Sequence, residues 1–253
     1  MIYIVLPAYN EEQSIKIILD DLYNLWKEKL KEYKIFVIVV NDGSTDKTEK
    51  IVDDYIFFLS SQNSSFFVKK ITHKINEGLG KAIKSGFEHV FQISKDNEIL
   101  ITLDSDNTMP VDLISSMITK LNSGKDLVVA SRFIKHGKTV GVPIDRKILS
   151  YVASKIYKIF FPINNIKDYT CGYRGYKIKL LREASKQITP FFSEVGFSSM
   201  VDILLKLQKF NKNINAEELP LTLRYDLKKG TTKMKVIRNI FNSFMLIIKR
   251  KIF

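Results

Sequence analysis

The chain has 253 residues, enough for one domain with a substantial core, and its 45% hydrophobic content excludes a disordered polymer. Its net charge of +13 points to phosphate-bearing partners: a nucleotide, a nucleic acid or an anionic membrane face, although Lys and Ile are abundant throughout and carry part of that charge. One cysteine, Cys171, excludes an internal disulfide, and three histidines (His73, His89, His136) are a poor basis for a zinc site.

Residues 2–6 read as a buried strand ended by Pro7, and a helix follows from Asn10-Glu11-Glu12 to about residue 31. Its apolar positions are Ile15, Ile18, Leu22, Leu25 and Trp26. Residues 35–40 are unbroken and apolar, as a parallel central strand requires. Asn41 to Asp46 is a turn in which Ser44 or Thr45 caps a helix over about 47–59. Strands are expected at 66–72, in the apolar run that precedes Asp104, and at 127–131, with helices over 78–93 and 110–121. This alternation predicts an open, mostly parallel α/β sheet flanked by helices.

The second half changes character. Residues 146–161 are apolar and basic by turns and read as a helix that faces either a membrane surface or the core, and 168–176 are too glycine-rich for a plain core element. A helix is expected over 197–210, an extended segment over 217–225 and a basic loop over 228–233. Residues 234–253 are expected to form a basic amphipathic helix, either interfacial on an anionic leaflet or packed on the catalytic core, set apart from a catalytic domain spanning 1–233. No uninterrupted apolar segment approaches the ~20 residues of a membrane span. The N-terminus carries no basic region before its first strand, so a signal peptide is not expected.

The chemistry concentrates in Ile99-Leu100-Ile101-Thr102-Leu103-Asp104-Ser105-Asp106, an apolar run that ends in two aspartates. Alternation puts Asp104 and Asp106 on one side of an extended chain. Two carboxylates together favour a hard divalent cation, and Mg²⁺ is typically held by one or two carboxylates plus substrate phosphate. On its own the pattern reads equally well as a solvated turn. Two more polar clusters, Pro7 to Glu11 and Asn41 to Asp46, follow apolar strands in the same way, and in such sheets ligands bind beyond the carboxyl ends of the strands. Helix starts near Glu11 and Thr45 offer backbone N–H groups to anions, and Asp42 can accept hydrogen bonds from a base edge. Gly78, Gly80 and Lys81 lack the spacing of a phosphate loop and read as a tight turn.

Pro7-Ala8-Tyr9-Asn10-Glu11-Glu12, Val40-Asn41-Asp42-Gly43-Ser44-Thr45-Asp46, Asn76-Glu77-Gly78-Leu79-Gly80-Lys81-Ala82 and Asp104-Ser105-Asp106 together resemble the family 2 glycosyltransferases of the GT-A fold. Ala130-Ser131-Arg132-Phe133, Arg146-Lys147 and Asp168-Tyr169-Thr170-Cys171-Gly172-Tyr173-Arg174-Gly175-Tyr176 resemble the dolichol/polyprenyl-phosphate mannosyltransferase branch. The resemblance implies a GDP- or UDP-linked sugar donor, Mg²⁺ or Mn²⁺, and inverting transfer to a polyprenyl phosphate. It also implies that Pro7, Tyr9, Glu11 and Asp42 hold the nucleoside, and that Asp104 and Asp106 lie at the diphosphate with Asp106 as principal metal ligand. The branch usually has Gln two residues after the second aspartate; here Thr108 stands there.

A phosphate acceptor is already anionic and needs neutralisation rather than a general base, a task suited to Arg. Arg132, Arg146, Arg174 and Arg224 are the candidates, with Lys229 and Lys233 on the basic loop; Arg132 and Arg174, inside family-like motifs, are also expected at the reacting centre beside the two aspartates. A hydroxyl acceptor would instead need a base, and Asp168, Glu194 and Asp202 are the candidates. The expected location is the cytoplasmic membrane face, reached through the chain's own basic helix or through a separate membrane protein. Two alternatives stay open: transfer to a saccharide hydroxyl, and a basic nucleic-acid-binding protein. The latter lacks an interleaved aromatic platform, so nucleic acid is not an expected partner.

Overall fold

The computed structural model describes residues 1–194, 196, 198–229, 246–248 and 250. Its centre is a seven-stranded sheet. The strands are β1 (Ile2–Ala8), β2 (Ile35–Asn41), β3 (Phe66–Thr72), β4 (Ile99–Thr102), β5 (Leu127–Ser131), β7 (Arg174–Lys177) and β8 (Ala216–Pro220), in the spatial order β3-β2-β1-β4-β7-β5-β8. All neighbours are parallel except β7, which runs antiparallel between β4 and β5. A separate parallel pair joins β6 (Lys138–Val140) to β9 (Thr222–Arg224).

Burial explains the strand sequences. In β1, Ile2 to Leu6 are all buried, as a strand covered on both faces must be. The edge strand β3 alternates instead, with Phe66 inside and Phe67 outside. One face is covered by α1 (Ile15–Lys29), α2 (Thr48–Ser60) and α4 (Leu113–Asn122), the other by α3 (Leu79–Ile93), α6 (Ile178–Gln187) and α7 (Ser198–Phe210). Helix α5 (Ile144–Phe160) meets the second layer through Tyr157.

Two expectations need correction. The first helix begins at Ile15, not at Asn10, because residues 10–14 form a turn in which Asn10 takes φ 52°. The glycine-rich stretch 168–176 does contribute to the core. It ends in β7, where Gly175 packs closely under α4: a Cβ there would come within 2.9 Å of Leu121 Cδ1 and displace that side chain. Residues 178–187 form a helix that the sequence reading left unassigned. Of the expected C-terminal helix, residues 234–245, 249 and 251–253 lie outside the described residues. Leu246 and Ile247 pack on the second apolar layer.

Candidate active site

Strand register brings the three polar clusters together. Ala8 lies opposite Asn41, so the chain leaves β1 and β2 side by side. Thr102 pairs with Val5, which sets Asp104 level with Pro7. The Ser105 hydroxyl donates to the Pro7 carbonyl at 2.7 Å and fixes the turn between the two aspartates. The three clusters edge one open cavity of about 870 Å³. Pro7, Tyr9, Glu11, Asp42, Asp104, Asp106, Arg132 and Arg146 all line it, so eight expected site residues share one space.

The turns after β1 and β2 lock each other. The Asn10 N–H donates to Ser44 Oγ at 2.9 Å, and the Thr45 N–H donates to Asn10 Oδ1 at 2.8 Å. The Glu11 N–H donates to Thr48 Oγ1 at 2.7 Å, and the Lys47 N–H to Glu12 Oε2 at 3.0 Å. The N–H groups expected to seat anions near Glu11 and Thr45 therefore already have protein acceptors. Asp46, rather than Ser44 or Thr45, receives the Thr48 N–H at the start of α2, at 2.9 Å.

The aspartate pair is electrostatically uneven. Burial first, and then the charge of Asp106, push the Asp104 carboxyl up to about 7. Asp106 is held from its own turn: Thr108 donates to its Oδ1 through the hydroxyl at 2.7 Å and through the backbone N–H at 3.2 Å. Thr108 is thus a positioning group for Asp106. Lys228 Nζ donates to Asp106 Oδ2, and although burial disfavours its charge, Asp106 raises the lysine pKa. Among the described residues no group of three acidic, His or Cys side chains is gathered for a metal. Two carboxylates that already attract a cation do suit a hard divalent ion completed by phosphate oxygens.

In the same cavity Arg132 is clamped by Asp168. Nε donates to Oδ2 and Nη2 to Oδ1, both at 2.8 Å, and Nη2 also reaches Thr170 Oγ1 at 2.6 Å. Burial opposes the Asp168 charge, but the Arg132 charge and hydrogen bonds from Arg132 and the Cys171 N–H hold its carboxyl below the ordinary range. Arg146 Nη1 donates to the Tyr225 hydroxyl at 2.9 Å. A second groove of about 360 Å³ shares Arg132, Val142, Arg146 and Ser150 with the first cavity and continues past Phe133, Ile148 and Tyr151 onto α5.

Three expected phosphate ligands among the described residues fall elsewhere. Arg174 is wholly buried, and its guanidinium donates to the carbonyls of Met200 and Tyr169, so it is a strut between β7 and its neighbours, not a ligand in the cavity. Arg224 is exposed and doubly paired with Asp226. Lys229 is exposed beside the cavity while its neighbour Lys228 lines it. Lys233 lies outside the described residues. Lys228 itself was missed; the basic run 228–233 located the loop but not the residue that turns inward. Of the expected bases, Asp168 and Asp202 are locked in ion pairs with Arg132 and with Lys206 and Arg250, whereas Glu194 lines the cavity.

A mostly parallel α/β sheet with its carboxylates gathered at the carboxyl edge is the architecture of the GT-A glycosyltransferases. The glycosyl transferase family 2 sequence model matches residues 3–184, and the chain belongs to that family: it is a glycosyltransferase. It is 26% identical over 94% of its length to a dolichol-phosphate mannosyltransferase of Pyrococcus furiosus, and it spans 62% of that relative's length. It is 26% identical over 97% of its length to a UDP-N-acetylglucosamine–dolichyl-phosphate N-acetylglucosaminyltransferase of Methanococcus voltae, covering 96% of that protein. The fold matches glucosyl-3-phosphoglycerate synthase of Mycobacterium tuberculosis, solved with Mn²⁺ and UDP, with a TM-score of 0.67 and 18% identity, over 99% of this chain and 79% of that one.

Proposed function

We propose that the chain moves a sugar from a nucleotide-sugar donor to a polyprenyl phosphate, with a divalent metal and with inversion at the anomeric carbon. One observation carries the reading. The cavity combines an acidic pair suited to a metal–diphosphate with Arg132 and Arg146, and the two arginines also line an apolar-edged groove leading to α5. A phosphate monoester with a hydrocarbon tail matches that sequence of surfaces. The relatives named for dolichyl-phosphate acceptors support the same choice.

Pro7, Tyr9, Glu11 and Asp42 hold the nucleoside end of the donor. Asp104 and Asp106 would hold Mg²⁺ or Mn²⁺, which would neutralise the departing nucleoside diphosphate. Lys228 adds a positive charge beside the same oxygens once Asp106 has another cation. Arg132, fixed in its plane by Asp168, and Arg146 orient the acceptor phosphate. Its oxygen forms a bond to the anomeric carbon from the face opposite the bond that breaks, and the diphosphate leaves with that electron pair. No general base is needed, because the acceptor arrives deprotonated.

Helix α5 supports a membrane surface as partner. Its outward stripe is apolar: Ile144 is 71% exposed and Ile159 74%, with Ile148, Tyr151, Val152, Ile156 and Phe160 also uncovered. Lys155 sits on the same face. No helix among the described residues is long and apolar enough to cross a membrane, so an interfacial contact is the form this takes. The location that follows is peripheral, on the cytoplasmic face, with or without a separate membrane protein.

The test is a screen of UDP- and GDP-sugars with Mg²⁺ or Mn²⁺ and a short polyprenyl phosphate, following lipid-linked sugar by mass spectrometry. Transfer to the lipid is expected, and Asp106→Ala should lower it at least ~100-fold. Glycosylation of a saccharide with no lipid product would overturn the acceptor assignment.

A further inference from the structure

The carboxylate of Asp42 is nearly saturated. His73 Nδ1 lies 2.7 Å from Oδ1, the Glu77 N–H donates to the same oxygen at 3.0 Å, and the Gly78 N–H donates to Oδ2 at 2.8 Å. An ionised carboxylate only accepts, so Nδ1 carries the proton of the His73 ring. Ser85 Oγ, 2.9 Å from Nε2, partners the other nitrogen and fixes the ring plane. A carboxylate offers about four acceptor positions. Three are taken by donors among the described residues, and the fourth is on Oδ2. The Asp42 side chain is only 4% exposed, and what it exposes lines the cavity beside Asn76, Glu77, Gly78 and Leu79.

We infer that the donor's base is uracil, and that His73 is the positioning residue that sets this choice. The inference rests on the donor-site reading above. Uracil presents one imide N–H between two carbonyls, which matches one remaining acceptor. Guanine presents its ring N–H and its amino group side by side and needs two. At this carboxylate one guanine donor finds no acceptor, a mismatch that separates ligands by about 10- to 100-fold. Cytosine turns a ring nitrogen lone pair toward the carboxylate and is repelled. Asn76, on the same wall, brings an amide able to donate to a uracil carbonyl. The residues responsible are local in sequence, His73-Lys74-Ile75-Asn76-Glu77-Gly78, on the loop between β3 and α3.

The experiment is titration calorimetry of the full chain with UDP, GDP and IDP in Mn²⁺ buffer. UDP should bind at least ~10-fold more tightly than GDP, and IDP, which lacks the amino group, more tightly than GDP. GDP binding as tight as UDP would overturn the inference and leave the donor site standing. IDP no tighter than GDP would overturn the acceptor count. Binding of none of the three would overturn the donor-site reading and this inference with it. His73→Ala should narrow the UDP-to-GDP preference about 10-fold in a protein with an unchanged circular dichroism spectrum; an unchanged preference would remove His73 from the assignment. Should that variant not fold, Ser85→Ala, which releases the ring, is read the same way.

Discussion

The Arg132–Asp168 pair does two jobs at one place. Asp168 is wholly buried, and its two oxygens hold Arg132 against the wall of the cavity. Removing one partner of such a pair leaves a buried charge without compensation, which costs about 3–5 kcal/mol. Asp168→Ala should therefore lower the urea midpoint by that equivalent and also weaken the acceptor's KM, since Arg132 loses its plane. The pH dependence has a definite sign. Arg132 and the surrounding N–H groups hold the Asp168 carboxyl below its ordinary value, so its stabilising effect is present above the unfolded value near ~4 and is lost as pH falls through the folded one. Urea midpoints from pH 7 to 3 should fall more steeply for the parent than for Asp168→Asn. Close by, burial and the Asp168 charge push the Cys171 thiol up to about 12. Native protein should then resist iodoacetamide at pH 8 and label only when unfolded.

Among the elements, α5 inverts the usual arrangement. Ser154 and Tyr157 face the body while the isoleucines face out. Amphipathic periodicity made the helix legible but left its orientation open, because a stripe facing a core and a stripe facing lipid have the same period. Ile144, Ile148 and Ile159 are exposed in the folded protein, so replacing all three with Ser should change the melting temperature by only about a degree or two. Burying three isoleucines in an interface is worth up to several kcal/mol at about 25 cal/mol per Å². Flotation with anionic vesicles should accordingly fall at least ~10-fold. Equal flotation of parent and variant would take α5 out of the membrane contact.

At the scale of the whole molecule, charge and site work together. The net charge of +13 is screened within about 10 Å at 0.1 M salt, so vesicle binding should weaken between 50 and 500 mM NaCl. The acidic pair is the counterpoint to that field. Asp104 and Asp106 sit close together with Lys228, among the described residues, as the cationic partner of Asp106, and Arg132 and Arg146 line the same cavity. Chelation should abolish sugar transfer and leave the fold intact, because the sheet edge is held by its own hydrogen bonds: Asn10 with Ser44 and Thr45, Ser105 with Pro7, Asp42 with Gly78. Restoring Mn²⁺ or Mg²⁺ should recover activity, and an unchanged rate in EDTA would exclude the metal site.

The sequence by itself determined the parallel strands, the helices between them and the three polar clusters at one edge. Those features are written in local periodicity and turn chemistry, and the cluster at Asp104-Ser105-Asp106 follows from an apolar run that stops. It also located Arg132 and Arg146, because both stand in motifs. Only the tertiary structure decided which cations reach the cavity. Arg174 stands in a family-like motif and Lys228 in a basic run, yet neither local pattern says which cation faces the cavity. One is drawn under the sheet by an antiparallel strand inserted between β4 and β5, the other is brought to Asp106 from 122 residues away. The same holds for the N–H groups near Glu11 and Thr45, which look available until the two turns are seen to satisfy each other. Position along the chain fixes which residues can carry the chemistry, but the pairing of distant groups, each needing a partner once water is excluded, fixes which ones do.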